Sequence, residues 1–166
     1  MESLTETTWS NRSWMSLLAF IAICVAVEVV GGLLTSLSVK SWYQTISKPS
    51  WNPPSWIFGP VWTALYLSMA FAGWLVWKER VTRNIQVAMM LFGIQLFLNL
   101  LWSGFFFGLR NPMLAFFDIA LLWMAILATA IAFWYIRPIA GILLTPYLAW
   151  VGFAAVLNFS IWRMNA

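Results

Sequence analysis

Five apolar runs divide the chain, at about 14–37, 56–77, 85–107, 113–135 and 139–162. Each is close to the ~20 residues that cross a bilayer core as a helix. They are too long for strands. Lipid offers backbone N–H and C=O groups no partner, so each run must close its hydrogen bonds internally, as a helix. Only 8% of the residues are charged and 63% are hydrophobic, against roughly a quarter charged in a soluble domain. Too little polar surface remains to cover a globule in water. The expected fold is all-α and integral to the membrane: one domain, 1–166, a bundle of five transmembrane helices with a long structured loop between the first and second.

The separators explain the order of packing. Lys78-Glu79-Arg80 and Arg83 close the second run. Arg110-Asn111-Pro112 and Arg137-Pro138 separate the third, fourth and fifth, and proline suits a helix start. These connections are short, so successive helices are expected antiparallel and side by side. The first connection, 38–55, is long, and long loops in compact folds tend to carry function. It contains Lys48-Pro49-Ser50-Trp51-Asn52-Pro53-Pro54 and leads straight into the second run. Six tryptophans fall between positions 42 and 77, more than spanning requires. Pro60 is expected to free the carbonyl of Trp56 and bend the start of the second helix toward the loop.

The first run reads as a true span rather than a signal peptide. Glu2 and Glu6 make a poor basic lead-in, Glu28 interrupts the apolar core, and no Ala-x-Ala site follows. Lys and Arg are spread singly, five on the side of the N-terminal tail and four on the other. That margin of one leans toward a cytoplasmic N-terminus. The net charge of +4 is not gathered in a patch, so nucleic-acid binding is not expected.

Composition excludes much chemistry. There is no histidine, and the one cysteine, Cys24, lies within an apolar run. Zinc clusters, Ser-His-Asp and Cys-His catalysis, and a proximal histidine for haem iron are all ruled out. Any function must rest on aromatics, amides, hydroxyls, a few carboxylates or a bound molecule.

Three helical stripes mix flat rings with hydrogen-bonding groups. They are Trp62, Tyr66, Met69 and Gly73; Gln95, Asn99, Trp102 and Phe106; and Tyr147, Trp150, Ala154 and Asn158. Helix packing and interfacial tryptophan belts are the plain explanation. The belt suits Trp77, Trp134 and Trp162, near span ends, whereas Trp62 and Trp150 lie deeper and suit a cavity. Gln95, Asn99, Asp118 and Asn158 should face the bundle interior, Asp118 in a structural role. Glu28 lies mid-span with no intramembrane Lys or Arg to pair with, either neutral and structural or a proton- or cation-binding group. Gly104 with Gly108, and Gly141 with Thr145 and Ala149, permit close helix approach within the subunit or in a homodimer.

Taken in order, these residues resemble the TspO/MBR family of tryptophan-rich sensory and translocator proteins. The matching stretches are Trp42-Tyr43, Lys48 to Pro54, Gly59-Pro60-Val61-Trp62-Thr63-Ala64-Leu65-Tyr66 and Leu75 to Glu79. Further on come Gln95 with Asn99 and Trp102, Asp118, Pro146 to Trp150, and Leu157-Asn158 with Trp162-Arg163. The resemblance implies a five-helix bundle, commonly a homodimer, in a bacterial cell membrane. It implies a cavity beneath the first loop that binds porphyrins and other flat aromatic molecules, with no obligatory cofactor. The ligand-binding residues expected are Trp42, Trp51, Trp62, Tyr66, Gln95, Asn99, Trp102, Tyr147, Trp150, Ala154 and Asn158. Trp62 and Trp150 match tryptophans linked in some bacterial members to light-dependent porphyrin breakdown. Phe159 stands where animal members carry the tyrosine of a proposed sterol motif, and Glu28 is not a family site position.

Three functional classes follow. The leading one is a porphyrin-binding membrane receptor or sensor that regulates or transports its ligand. The second is a light-dependent porphyrin-degrading enzyme using Trp62 and Trp150. The third is a small proton-coupled exporter using Glu28. A tetrapyrrole suits the aromatic stripes on physical grounds, since stacked rings gain about 0.5–1.5 kcal/mol per pair beyond burial. Indole N–H and amide groups can serve its polar edge.

Overall fold

The computed structural model describes the backbone of residues 2–166 and the side chains of residues 13–166. Glu2, Glu6 and Arg12, the charged residues ahead of the first run, lie outside the described side chains. The helices are α1 (Glu2–Ser36), α2 (Trp42–Thr45), α3 (Phe58–Lys78), α4 (Gln86–Ser103), α5 (Pro112–Ile136), α6 (Pro138–Leu143) and α7 (Thr145–Met164). Among the described residues five helical stretches are long and apolar enough to cross a membrane: Ser13–Ser36, Ser55–Val81, Gln86–Gly108, Pro112–Ile136 and Pro138–Met164. The chain is a five-helix membrane bundle.

Local chemistry sets the helix ends. The Asn111 side chain accepts the Leu114 N–H at 3.0 Å, and Pro112 fills the first helical position of α5. Arg110 turns the chain there with φ 53°, a left-handed conformation that costs a non-glycine residue strain. The fifth run, expected as a single helix, is two. Pro146 has no N–H to give in the first turn of α7, and the chain resets at Leu144. Pro60 falls in the first turn of α3, where a missing N–H costs no intrahelical bond, after a tight three-residue turn at Ser55–Ile57. The entry to α3 is marked by this change of helical winding before Phe58 rather than by a bond lost at Pro60. Gly104 and Gly108 bound a wide helical turn, Gly104–Gly108, and a Cβ at either would meet nothing within 4 Å. They are not close-contact points within this subunit.

Packing closes the helices into a ring. α1 lies against α3 and α4, α4 against α5, α5 against α6 and α7, and α6 against α3. Close approaches mark the end away from the loop. A Cβ on Gly73 would stand 2.8 Å from the Phe20 ring, and one on Gly141 would stand 2.8 Å from the Ala130 carbonyl oxygen. Arg137 pairs with Glu79 at 3.1 Å across two connections on that side. Trp77 and Trp134, assigned from their positions to an interfacial belt, are exposed near span ends.

Candidate functional site

A cavity of about 300 Å³ lies under the first loop, at the low end of small-molecule sites. Its position follows from the break in the fifth span. α6 packs on α3 while α7 packs on α5, so α3 and α7 separate toward the loop. Rings bridge the widened interval: Phe58 lies 5.9 Å from Trp150, and Trp62 lies 6.2 Å from Tyr147, between centroids.

The floor joins three helices. The Tyr66 hydroxyl donates to the Asn99 side-chain oxygen at 2.7 Å, and the Asn99 amide donates to the Tyr147 hydroxyl at 2.7 Å. All three residues are buried, so each group must find its partner inside the protein. On the wall, the Trp102 indole N–H donates to Asn158 at 3.0 Å, and the Asn158 amide donates to the Pro112 carbonyl at 2.7 Å. Trp102 stacks on Phe106, with centroids 5.4 Å apart.

The roof is the first loop. The Ser38 hydroxyl donates to the Phe107 carbonyl and fixes the start of the loop. Trp42 and Tyr43 cover Phe106, at 5.7 and 6.1 Å between centroids. The Tyr43 hydroxyl donates to Asn52 at 2.9 Å. Burial holds the Tyr43 phenol above its ordinary pKa, with the Asn52 hydrogen bond acting against that shift. The Lys48 ammonium donates to the carbonyls of Tyr43 and Ile46 at 2.6 and 2.9 Å. Asn165, just past α7, accepts the Ser47 N–H and donates to its carbonyl, both at 2.9 Å. Gly32, Ser55 and Gly59 are exposed members of the lining and mark where the cavity opens.

Of the eleven ligand-binding residues expected from sequence, six line the cavity: Trp62, Tyr66, Asn99, Trp102, Ala154 and Asn158. Tyr147 stands behind the floor. Trp150 packs behind Phe58, Trp51 sits on Phe153 at 5.8 Å, and Trp42 covers Phe106 from the loop side. Gln95 is buried away from the lining, with both amide atoms unpartnered within the protein. Asp118 and Trp150 likewise each bury one polar atom without a protein partner. Sequence reasoning did not assign Gly31, Thr35, Phe58, Phe106, Phe107, Leu157 or Ile161 to the site, although all line it. Phe106 was on the stripe with Gln95, Asn99 and Trp102, and Phe58 follows the proline-rich loop, so both carried a usable signal. Glu28, read from sequence as either a neutral structural group or a proton- or cation-binding one and not assigned to the ligand site, is on the cavity wall.

Comparison with known proteins follows the same outline. The sequence model of the TspO/MBR family matches residues 20–163. A tryptophan-rich protein TspO of Chlorobaculum tepidum is 43% identical over 93% of this chain and 99% of its own length. The human translocator protein is 44% identical over 75% of each chain. A tryptophan-rich sensory protein of Cereibacter sphaeroides is 36% identical over 93% of this chain and 94% of its own.

Proposed function

The chain belongs to the TspO/MBR family, and we propose that it is a membrane receptor or sensor for porphyrins and related flat aromatic ligands, held in the cavity beneath the first loop. The observation that carries this reading is the lining itself. Trp62, Tyr66, Trp102, Phe106 and Phe107 present ring surface, while Asn99 and Asn158 place amides beside it. Flat rings gain from such walls, and a few convergent polar groups set orientation. A tetrapyrrole is too large for about 300 Å³ to enclose. It would protrude through the side at Gly32, Ser55 and Gly59, or the loop would lift. The relatives named sensory and translocator proteins support the same class of role. A bacterial cell membrane and a homodimer belong to this proposal, the latter tested by the mass of the detergent-solubilised protein.

Binding and sensing suit the architecture better than carriage. A carrier must open in turn on both sides. Here the far end is held by the close approaches at Gly73 and Gly141 and by the Arg137–Glu79 pair. A second reading, light-dependent breakdown of bound porphyrin, draws on Trp62, which lines the cavity with Tyr66 at 5.8 Å and Tyr147 at 6.2 Å between centroids. In it the excited porphyrin supplies the chemistry and the protein supplies position. Trp150 stands one ring further back, behind Phe58.

The test is a titration with metal-free protoporphyrin followed by tryptophan quenching, then illumination. Saturable quenching is the expected result. No quenching by any porphyrin would remove the proposal. Light-dependent product that disappears in Trp62→Phe would favour the enzyme.

A further inference from the structure

One carboxylate stands out in this cavity. Glu28 is the one charged side chain in the lining, and the remainder is apolar, aromatic or neutral polar. It reaches across from α1 to α3, where the Thr63 hydroxyl donates to its Oε1 at 2.5 Å. Among the described residues Thr63 is its one hydrogen-bond donor, and no Lys or Arg pairs with it. A carboxylate has about four acceptor sites, so most of its capacity is unused.

Among the described residues, the amide and phenol groups of the cavity make their hydrogen bonds elsewhere and none donates to Glu28. Asn99 is committed to Tyr66 and Tyr147, and Asn158 to Trp102 and Pro112. Position adds to the asymmetry. Glu28 shares the cavity lining with the aromatic rings of Trp62 and Tyr66. An aromatic face attracts a cation, and an adjoining carboxylate strengthens that preference. An ionised carboxylate at this place also repels a ligand carboxylate.

We infer that Glu28 sets the charge preference of the cavity: it favours flat aromatic ligands carrying an ammonium or other N–H donor, and turns the carboxylate edge of a tetrapyrrole away from α1, toward the loop. This rests on the cavity being the ligand site, but not on the ligand being a tetrapyrrole.

Two ligand series test it in a zwitterionic detergent, with wild type and Glu28→Gln. Glutamine keeps the shape and can still accept from Thr63. One series is a single ring in three charge states: protoporphyrin, its dimethyl ester, and its bis-amide with ethylenediamine. The other is a tricyclic pair, proflavine and anthracene-2-carboxylate. The reading is the ratio of Kd in the variant to Kd in wild type for each ligand, which cancels partition into detergent. The ratio should rise about tenfold for the cationic ligands, the scale of one charge-assisted hydrogen bond. It should stay near unity for the ester and fall for the carboxylates. Equal ratios across charge states overturn the inference while leaving the tetrapyrrole reading intact. A charge order among the tricyclics without porphyrin binding upholds the inference and removes the tetrapyrrole reading. Failure of both series to bind overturns both.

Discussion

At the loop end, α3 and α7 stand apart, with Phe58, Trp62, Tyr147 and Trp150 between them. Below the cavity floor, α3 and α6 approach closely enough at mid-span for the Ser68 hydroxyl to donate to the Leu143 carbonyl at 2.7 Å. At the other end, glycines let neighbours in: Phe20 against Gly73, Ala130 against Gly141. Lipid gives helices no hydrophobic reason to associate, so close packing and internal hydrogen bonds must hold them. The far end relies on close packing. The loop end gives up part of it for a cavity and is held by hydrogen bonds among Tyr66, Asn99, Tyr147, Trp102 and Asn158. Substitutions at the two ends should therefore fail differently, one in stability and the other in binding.

The largest effect is expected at Gly141. In Gly141→Leu the new side chain meets a backbone carbonyl that cannot swing aside, at a cost of about 3 kcal/mol, the upper end for overpacking. Thermal unfolding in detergent should show a clear fall in Tm. Gly104→Ala meets open space and should leave Tm almost unchanged. If the two variants behaved alike, the distinction between the packed end and the rest would fail.

Trp62→Ala should act on binding instead. Porphyrin affinity should drop by about 2 kcal/mol, the scale of a lost aromatic contact, with a smaller change in Tm. Trp150→Ala should cost binding less, because that ring packs on Phe58, a lining residue, and is not in the lining itself. Fluorescence titration of both variants sharpens the comparison. An equal loss would place Trp150 on the ligand.

The smallest effect is expected where the C-terminal end of α7 holds the loop. Asn165→Ala removes both bonds to Ser47, a cost of about 1 kcal/mol at an exposed site. Hydrogen exchange at Ser47 should quicken, and ligand should slow it again if the loop acts as a lid. Identical exchange in wild type and variant would remove Asn165 as the tie.

The limits of sequence reading fall along the same division. Helical spacing announced Tyr66, Asn99 and Tyr147, because polar groups at 3.6-residue rhythm in an apolar run must turn inward. Spacing could not show that they bond to one another. Trp42 and Trp51 were expected to bind the ligand, yet Trp42 covers the lining ring Phe106 from the loop side and Trp51 sits on Phe153 outside the lining, and their layer depends on how the loop folds. Gly104 and Gly108 have contact spacing but bound a wide turn, which no pattern announced. Glu28 reads as unpaired in sequence because no Lys or Arg lies within the spans near it. Its partner is a hydroxyl on another helix, Thr63, an ordinary residue in sequence.

The central claim is that rings are held by stacking and edge hydrogen bonds, in a chain with no histidine to bind iron. The direct measurement is a paired titration of wild type and Trp62→Ala with metal-free protoporphyrin and with haem. Metal-free porphyrin should bind within about tenfold of haem, under roughly 1.4 kcal/mol, and both should weaken together in the variant. A haem preference of several hundredfold, with a spectrum showing a protein axial ligand and no response to Trp62→Ala, would contradict it.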